Sequence, residues 1–269
     1  MRLGISSYTY TWAVGIAGFQ PEQPMNVCGL LQRAAQLGVT VVQIADNLPL
    51  DRLAEHELVE LEHAAQDLRI SLEVGTRGIA PAHLFRYLAI AQRLASPILR
   101  VVVDTPEHRP AAAEIVAWLR PLETEFTSAG VMLAIENHDR LRAEELRAIV
   151  TELGPWVGIC LDTVNSFGAL QGPESVVAML GPLTVNLHIK DFIIQRASHK
   201  MGFSIEGRPA GQGRLDIPWL LGSLTTFKRN PNAILELWTP PEPSLAATLA
   251  KEQRWAEESV HYLRSLLPD

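Results

Sequence analysis

The chain has 269 residues, 47% hydrophobic and 20% charged, with a net charge of −7 at pH 7. That balance describes a globular protein with ample core material, and it lacks the surplus of Lys and Arg that binding to a nucleic-acid backbone requires. Its two cysteines, Cys28 and Cys160, each sit in an apolar segment, which predicts buried free thiols in a reducing compartment. Arg2, Asp46 and Asp51 interrupt the N-terminal region before any apolar run reaches the ~20 residues of a membrane span. A cytoplasmic protein without a membrane or nucleic-acid partner is the expectation.

Taken in order, strand-like and helix-like runs alternate. RLGISSY (2–8) precedes an amphipathic segment closed by Gly38, and TVVQIAD (40–46) precedes a long one over 48–68. RISLEVG (69–75) leads into 80–95, and PILRVVVD (97–104) into 110–130, where Gly130 has the placing of a C-terminal helix cap. VMLAIE (131–136) is followed by 142–153, WVGICLD (156–162) by 173–180, and TVNLHIKD (184–191) by a long polar stretch and then 217–227. AILELW (233–238) leads through TPPEP into 244–267. Eight strand-then-helix units predict a parallel sheet closed into a (β/α)8 barrel, one domain over 1–269. A doubly wound sheet is the weaker alternative, because it usually has fewer strands and would leave edges uncovered.

Four consecutive strand-like runs end in metal-ligand chemistry: Glu136, Asp162, His188 and Glu236. Glu136 to Asp162 and Asp162 to His188 are each 26 residues, one strand, one helix and two turns, so these positions fall at equal heights on neighbouring strands. The longer gap to Glu236 is accounted for by the polar stretch over 191–214. In a parallel barrel all these strand ends converge on one face. Three carboxylates and a neutral imidazole make a hard site of formal charge −3, suited to one divalent ion, Mn2+ first, with Mg2+, Co2+ or Zn2+ as alternatives. Such an ion would polarise a hydroxy-carbonyl substrate toward an enediolate. Glu136 and Glu236, three strand steps apart, would flank it as acid and base.

Several neighbours are candidate substrate contacts. Lys190 shares the inward face with His188, and Glu73 and Gln43 occupy what read as analogous strand ends. Asn137 and His138 follow Glu136, with hydrogen bonding behind the ligands as their assigned role. Tyr8, Trp12, Phe192 and Trp238 could wall the site. Arg196, His199, Lys200, Arg208 and Arg214 fall in the stretch over 191–214, which reads either as a solvated loop or as a lid clamping a carboxylate or phosphate.

The motifs IEN, LDTVN, LHIKD and LEL resemble those of the sugar phosphate isomerase/epimerase superfamily, the xylose-isomerase-like barrels that include ketose 3-epimerases, hydroxypyruvate isomerases and inosose dehydratases. The resemblance spans essentially the whole chain. It implies a metal quartet on Glu136, Asp162, His188 and Glu236, with proton transfer by the two glutamates, and it matches the family arginine to Arg208 in GRPAGQG. Asn165 departs from it, standing where ketose epimerases carry a histidine and implying a different substrate contact. The extra histidines of the superfamily's zinc endonucleases are also missing, since the corresponding places hold Glu73, Asp104 and Asn165. The expected activity is isomerisation or epimerisation of a small sugar or sugar derivative. The alternative is a lyase, decarboxylating a 3-oxo sugar acid or dehydrating a keto-polyol, and a non-catalytic sugar-binding barrel ranks behind both. A small carbohydrate or sugar acid is the expected partner, and a homo-oligomer is compatible with the sequence.

Overall fold

The computed structural model describes residues 1–267. Eight strands close into a barrel: β1 (Leu3–Ser6), β2 (Val41–Ile44), β3 (Ser71–Arg77), β4 (Ile98–Val102), β5 (Met132–Glu136), β6 (Val157–Asp162), β7 (Thr184–Ile189) and, after a separate ribbon, β10 (Asn232–Leu235). Ring neighbours are parallel throughout. The helices between them are α1 (Thr11–Val14), α2 (Val27–Leu37), α3 (Glu55–Asp67), α4 (Pro81–Arg93), α5 (Ala112–Leu119), α6 (Glu123–Ala129), α7 (Ala143–Leu153), α8 (Pro173–Leu180), α9 (Ile217–Thr226) and α10 (Leu245–Leu266). This is the expected (β/α)8 architecture. No helix among the described residues is long and apolar enough to cross a membrane.

Strand alternation sorts the side chains between two environments. On β5, Leu133 and Ile135 join the main apolar core, whereas Ala134 packs with Ile98 and Cys160 in a small separate cluster. On β5 the large aliphatics thus face the helices, and the small side chain of Ala134 turns into the ring. That division leaves room inside the ring for a polar site.

Three local expectations are corrected. The run over 110–130 is two helices, broken by a 3-10 turn at Arg120–Leu122, because Pro121 has no N–H to donate and its ring obstructs the helix. The stretch over 191–214 is not irregular: β8 (Asp191–Arg196) and β9 (Phe203–Arg208) form an antiparallel ribbon, with Gly202 at φ 107° in its turn. Asp191 ties down the ribbon base, its carboxylate accepting the N–H groups of Phe192, Gly211, Gly213 and Leu215.

Third, β3 does not stop at Gly75 but runs on to Arg77. A Cβ at Gly75 would approach Ala45 Cα and Arg100 Cδ to 3.3 Å. The glycine therefore marks the space taken by the Arg100 side chain rather than a strand end.

Candidate active site

Inward-facing positions stack in layers along the strands. In the lower layer, Gln43 Nε2 donates to Glu73 Oε2 (3.0 Å) and Asn186 Oδ1 (2.9 Å), Asn186 Nδ2 donates to Glu73 Oε2 (2.8 Å), and Asn232 Nδ2 donates to Glu73 Oε1 (2.7 Å). Glu73 is thus a buried structural carboxylate beneath the site, and its assignment as a substrate contact is corrected. The strand extension puts Arg77 at the mouth, two inward positions above it.

The same network fixes the imidazole above. With its amide nitrogen spent as donor, Gln43 presents Oε1 to His188 Nε2 at 2.7 Å, so Nε2 carries the proton and Nδ1 keeps a lone pair. Nδ1 is buried without a hydrogen-bond partner. It lies 3.5 Å from Glu136 Oε2, 3.5 Å from Glu236 Oε1 and 3.8 Å from Asp162 Oδ2. Ligand atoms of Asp162, His188 and Glu236 all lie within 4.8 Å of one another, and Glu136 Oε2 stands beside the same imidazole nitrogen. The quartet therefore fits a divalent ion in position and in donor chemistry, and Glu136, Asp162, His188 and Glu236 are the residues that would hold it.

Their supports are local. Asp162 Oδ1 accepts the N–H groups of Val164 and Asn165 at 2.8 Å each, which turns Oδ2 inward. Asn137 bridges the ends of β5 and β6, accepting Asp162 N and donating to Asp162 O and Ser166 Oγ. This is the supporting role expected of it. Ser6 Oγ donates to Glu236 Oε1 at 2.8 Å.

Two cations enter this cluster. Lys190 Nζ lies 2.7 Å from Asp162 Oδ2 and 2.8 Å from Glu236 Oε2, close enough for charge pairing but without hydrogen-bond alignment to either oxygen. Burial alone would lower the Lys190 ammonium's pKa, yet Asp162 and Glu236 outweigh it and hold the charge. The guanidinium of Arg100, 2% exposed, pairs through Nε with Glu136 Oε2 and through Nη1 with Asp46 Oδ1 at 2.8 Å. Asn165 Nδ2 donates to the other Glu136 oxygen at 2.7 Å. Burial would raise the Glu136 pKa, but the neighbouring cations, Arg100 first and then Lys190, hold it below the usual carboxylate range. Asp46 is likewise kept ionised by Arg100 and Arg77 against the effect of burial.

Above the quartet opens a cavity of about 500 Å³, whose lining includes Tyr8, Trp12, Arg77, Arg100, His138, Asn165, Lys190, Glu206 and Trp238. Three of the four proposed wall aromatics line it. Phe192 instead packs edge-on against Phe167, with centroids 4.8 Å apart. His138 stands at the rim with Nδ1 3.2 Å from Asp139. Arg208 points elsewhere, donating to the Gly207 carbonyl and Glu206, while Arg196, His199 and Lys200 are exposed near the ribbon tip. The expected cationic clamp therefore does not come from the ribbon in this structure.

Ser6, Asp46, Arg77 and Arg100 are the residues that sequence reasoning passed over. A charged residue inside the apolar run PILRVVVD, and a strand-end aspartate in TVVQIAD like those of the quartet, were the available signals for Arg100 and Asp46. Ser6 and Arg77 had none so clear.

A closed parallel barrel with polar chemistry gathered at the C-terminal strand ends defines the class of protein. The chain belongs to the xylose isomerase-like TIM barrel family, whose sequence profile matches residues 31–266, within the sugar phosphate isomerase/epimerase superfamily. It is 34% identical over 269 residues to the 3-oxo-isoapionate decarboxylase of Pectobacterium atrosepticum, covering 100% of this chain and 97% of that protein. Among solved structures, it resembles D-psicose 3-epimerase of Clostridium cellulolyticum H10 in complex with D-tagatose (TM-score 0.76, 15% identity, 99% of each chain). It also resembles the IolI protein with a bound zinc atom (TM-score 0.71, 17% identity, 97% of this chain and 99% of that one). At those identities the structural likeness establishes the fold.

Proposed function

We propose that this protein is a metal-dependent lyase that decarboxylates a small 3-oxo sugar acid. The observation that carries this reading is the charge at the mouth of the barrel. Four carboxylates, Asp46, Glu136, Asp162 and Glu236, are matched by three cations, Arg77, Arg100 and Lys190, so a divalent ion in the quartet leaves the mouth one charge positive. Glu73 lies a layer deeper behind its amide donors, and Glu206 at the rim has Arg208 beside it. A neutral ketose would leave that excess without a partner in the ligand, whereas a monocarboxylate neutralises it. Isomerisation ranked first from the sequence on the metal-enediolate chemistry and the resemblance to ketose epimerases, and the cations for an acid substrate were sought in the stretch over 191–214 rather than at Arg77 and Arg100. The full-length similarity to a decarboxylase supports the same choice.

The quartet ion, when bound, supplies a Lewis acid that polarises a carbonyl. The chain's own groups then divide the remaining work. Glu136 has donors on both oxygens, from Arg100 and Asn165, and so is placed to hold position rather than to collect a proton. Epimerisation needs a proton removed from one face and another delivered to the opposite face. Decarboxylation needs one delivery only: the bond from the carboxylate carbon to C2 breaks, its electron pair moves into an enolate with the 3-oxo group, CO2 leaves, and one proton is added at C2. Glu236, whose Oε2 accepts no hydrogen bond, would pass that proton. The aromatic side chains of Tyr8, Trp12 and Trp238 limit water around the reacting carbons.

The test is to incubate the metal-loaded protein with four- and five-carbon 3-oxo aldonates in D2O and to follow CO2 and deuterium at carbon. CO2 release with one deuterium per product is expected. Deuterium exchange into ketoses with no CO2 from any acid would replace this reading with isomerase or epimerase chemistry.

A further inference from the structure

The strands divide the mouth into two halves. β5, β6, β7 and β10 supply the quartet, and the facing half, β1 to β4, supplies Tyr8, Asp46, Arg77 and Arg100. A substrate whose carbonyl lies on the first half extends its other end toward the second. Three cations could meet a carboxylate there, and they differ in how far they are already committed. Lys190 is held between Asp162 and Glu236, and Arg100, although it borders the cavity, is only 2% exposed between Glu136 and Asp46.

All three line the cavity, and Arg77 differs in being the open one, its side chain 30% exposed. Nε donates to Asp46 Oδ2 at 2.9 Å and Nη1 to the Asp104 carbonyl at 3.1 Å. Those two bonds fix the plane of the guanidinium, and Nη2 takes no protein partner among the described residues. Asp46 is itself held by Arg100 and by Tyr8 Oη at 3.1 Å. The fork is therefore oriented before any ligand arrives, the arrangement in which arginine recognises carboxylates well.

We infer that Arg77 is the carboxylate anchor of this site, so that the ligand is a short hydroxy acid lying between Arg77 and the quartet. The inference rests on the decarboxylase reading and names the subsite for its scissile group. It has a kinetic consequence. The carboxylate loses its charge as CO2 departs, so its pairing with Arg77 is stronger in the ground state than in the transition state. Weakening the pair should act mainly on KM.

Binding is tested by calorimetry on the metal-loaded protein, using a four-carbon aldonate, which lacks the 3-oxo group and cannot react, and a ketose of the same length. Wild type should bind the aldonate more tightly. Arg77→Gln should weaken the aldonate by roughly ten- to a hundredfold and leave the ketose within about twofold, with Arg77→Lys intermediate because it keeps the charge and loses the fork. In turnover of a 3-oxo acid, KM should rise by a similar factor while kcat changes far less. If wild type prefers the aldonate and both variants keep that preference in full, Arg77 is not the anchor although the acid-substrate reading stands. No preference in wild type would sink both.

Discussion

His188 shows how a single side chain's role is set by atoms it does not choose. Its Nε2 proton goes to Gln43, whose own amide nitrogen is committed to Glu73 and Asn186, so the free lone pair can only face the carboxylates. Partners behind a metal ligand fix its tautomer and typically carry 10–100-fold in affinity. Gln43→Leu, which keeps the bulk and removes the acceptor, should therefore weaken divalent-ion binding by roughly that factor while the barrel stays folded. Metal titration checked against circular dichroism measures it, and wild-type affinity in the variant would remove Gln43 from this role. Glu73, two bonds behind the imidazole, acts through the same chain of contacts and not on the substrate.

Among the elements, α10 reaches back to fasten the first turn of the chain. Glu252, 1% exposed, accepts the N–H groups of Trp12 (2.8 Å) and Ala13 (3.0 Å) at the start of the four-residue helix α1, whose Trp12 lines the cavity. Burial pushes this carboxyl up to about 7, and the two backbone donors only partly oppose that rise. The folded state therefore binds a proton between the ordinary value near 4.5 and about 7 that the unfolded chain has released. The contribution is greatest below that window and falls as pH rises through it, by up to about 3 kcal/mol at ~1.4 kcal/mol per unit. Urea unfolding of wild type and Glu252→Gln at pH 5 and pH 8 should show a smaller loss of stability in the variant. Equal losses would mean that Glu252 does not carry the proton.

At the scale of the whole barrel, the quartet gathers negative charge where water is scarce, and a bound ion relieves it. Removing metal with a chelator should lower Tm and readdition should restore it. At free metal a hundredfold above Kd the linkage is worth about 2.7 kcal/mol, or roughly 5–10 °C for a chain of this size. Differential scanning fluorimetry with and without chelator measures the shift, and an unchanged Tm would argue against a resident ion.

Much of this molecule could be read from its sequence. The strand-then-helix order and the sorting of Leu133 and Ile135 from Ala134 are local patterns with a period of two, and equal spacing along repeating units put Glu136, Asp162, His188 and Glu236 at one height. Their gathering at one end of the barrel follows from that register, whereas the turn of His188 Nδ1 toward the carboxylates depends on Gln43. What the sequence could not decide was how far each strand runs and what crosses the barrel. Gly75 reads locally as a stop, yet in the closed ring it is the space beside Arg100, and with β3 extended Glu73 drops beneath the site and Arg77 rises to its mouth. The contacts of Arg100 with Asp46 and Glu136 span 54 and 36 residues and have no signature in any window of the chain. The charge of the site, on which the proposal of an acid substrate rests, is set by tertiary closure, because Coulomb energy depends on distance in space and not along the chain.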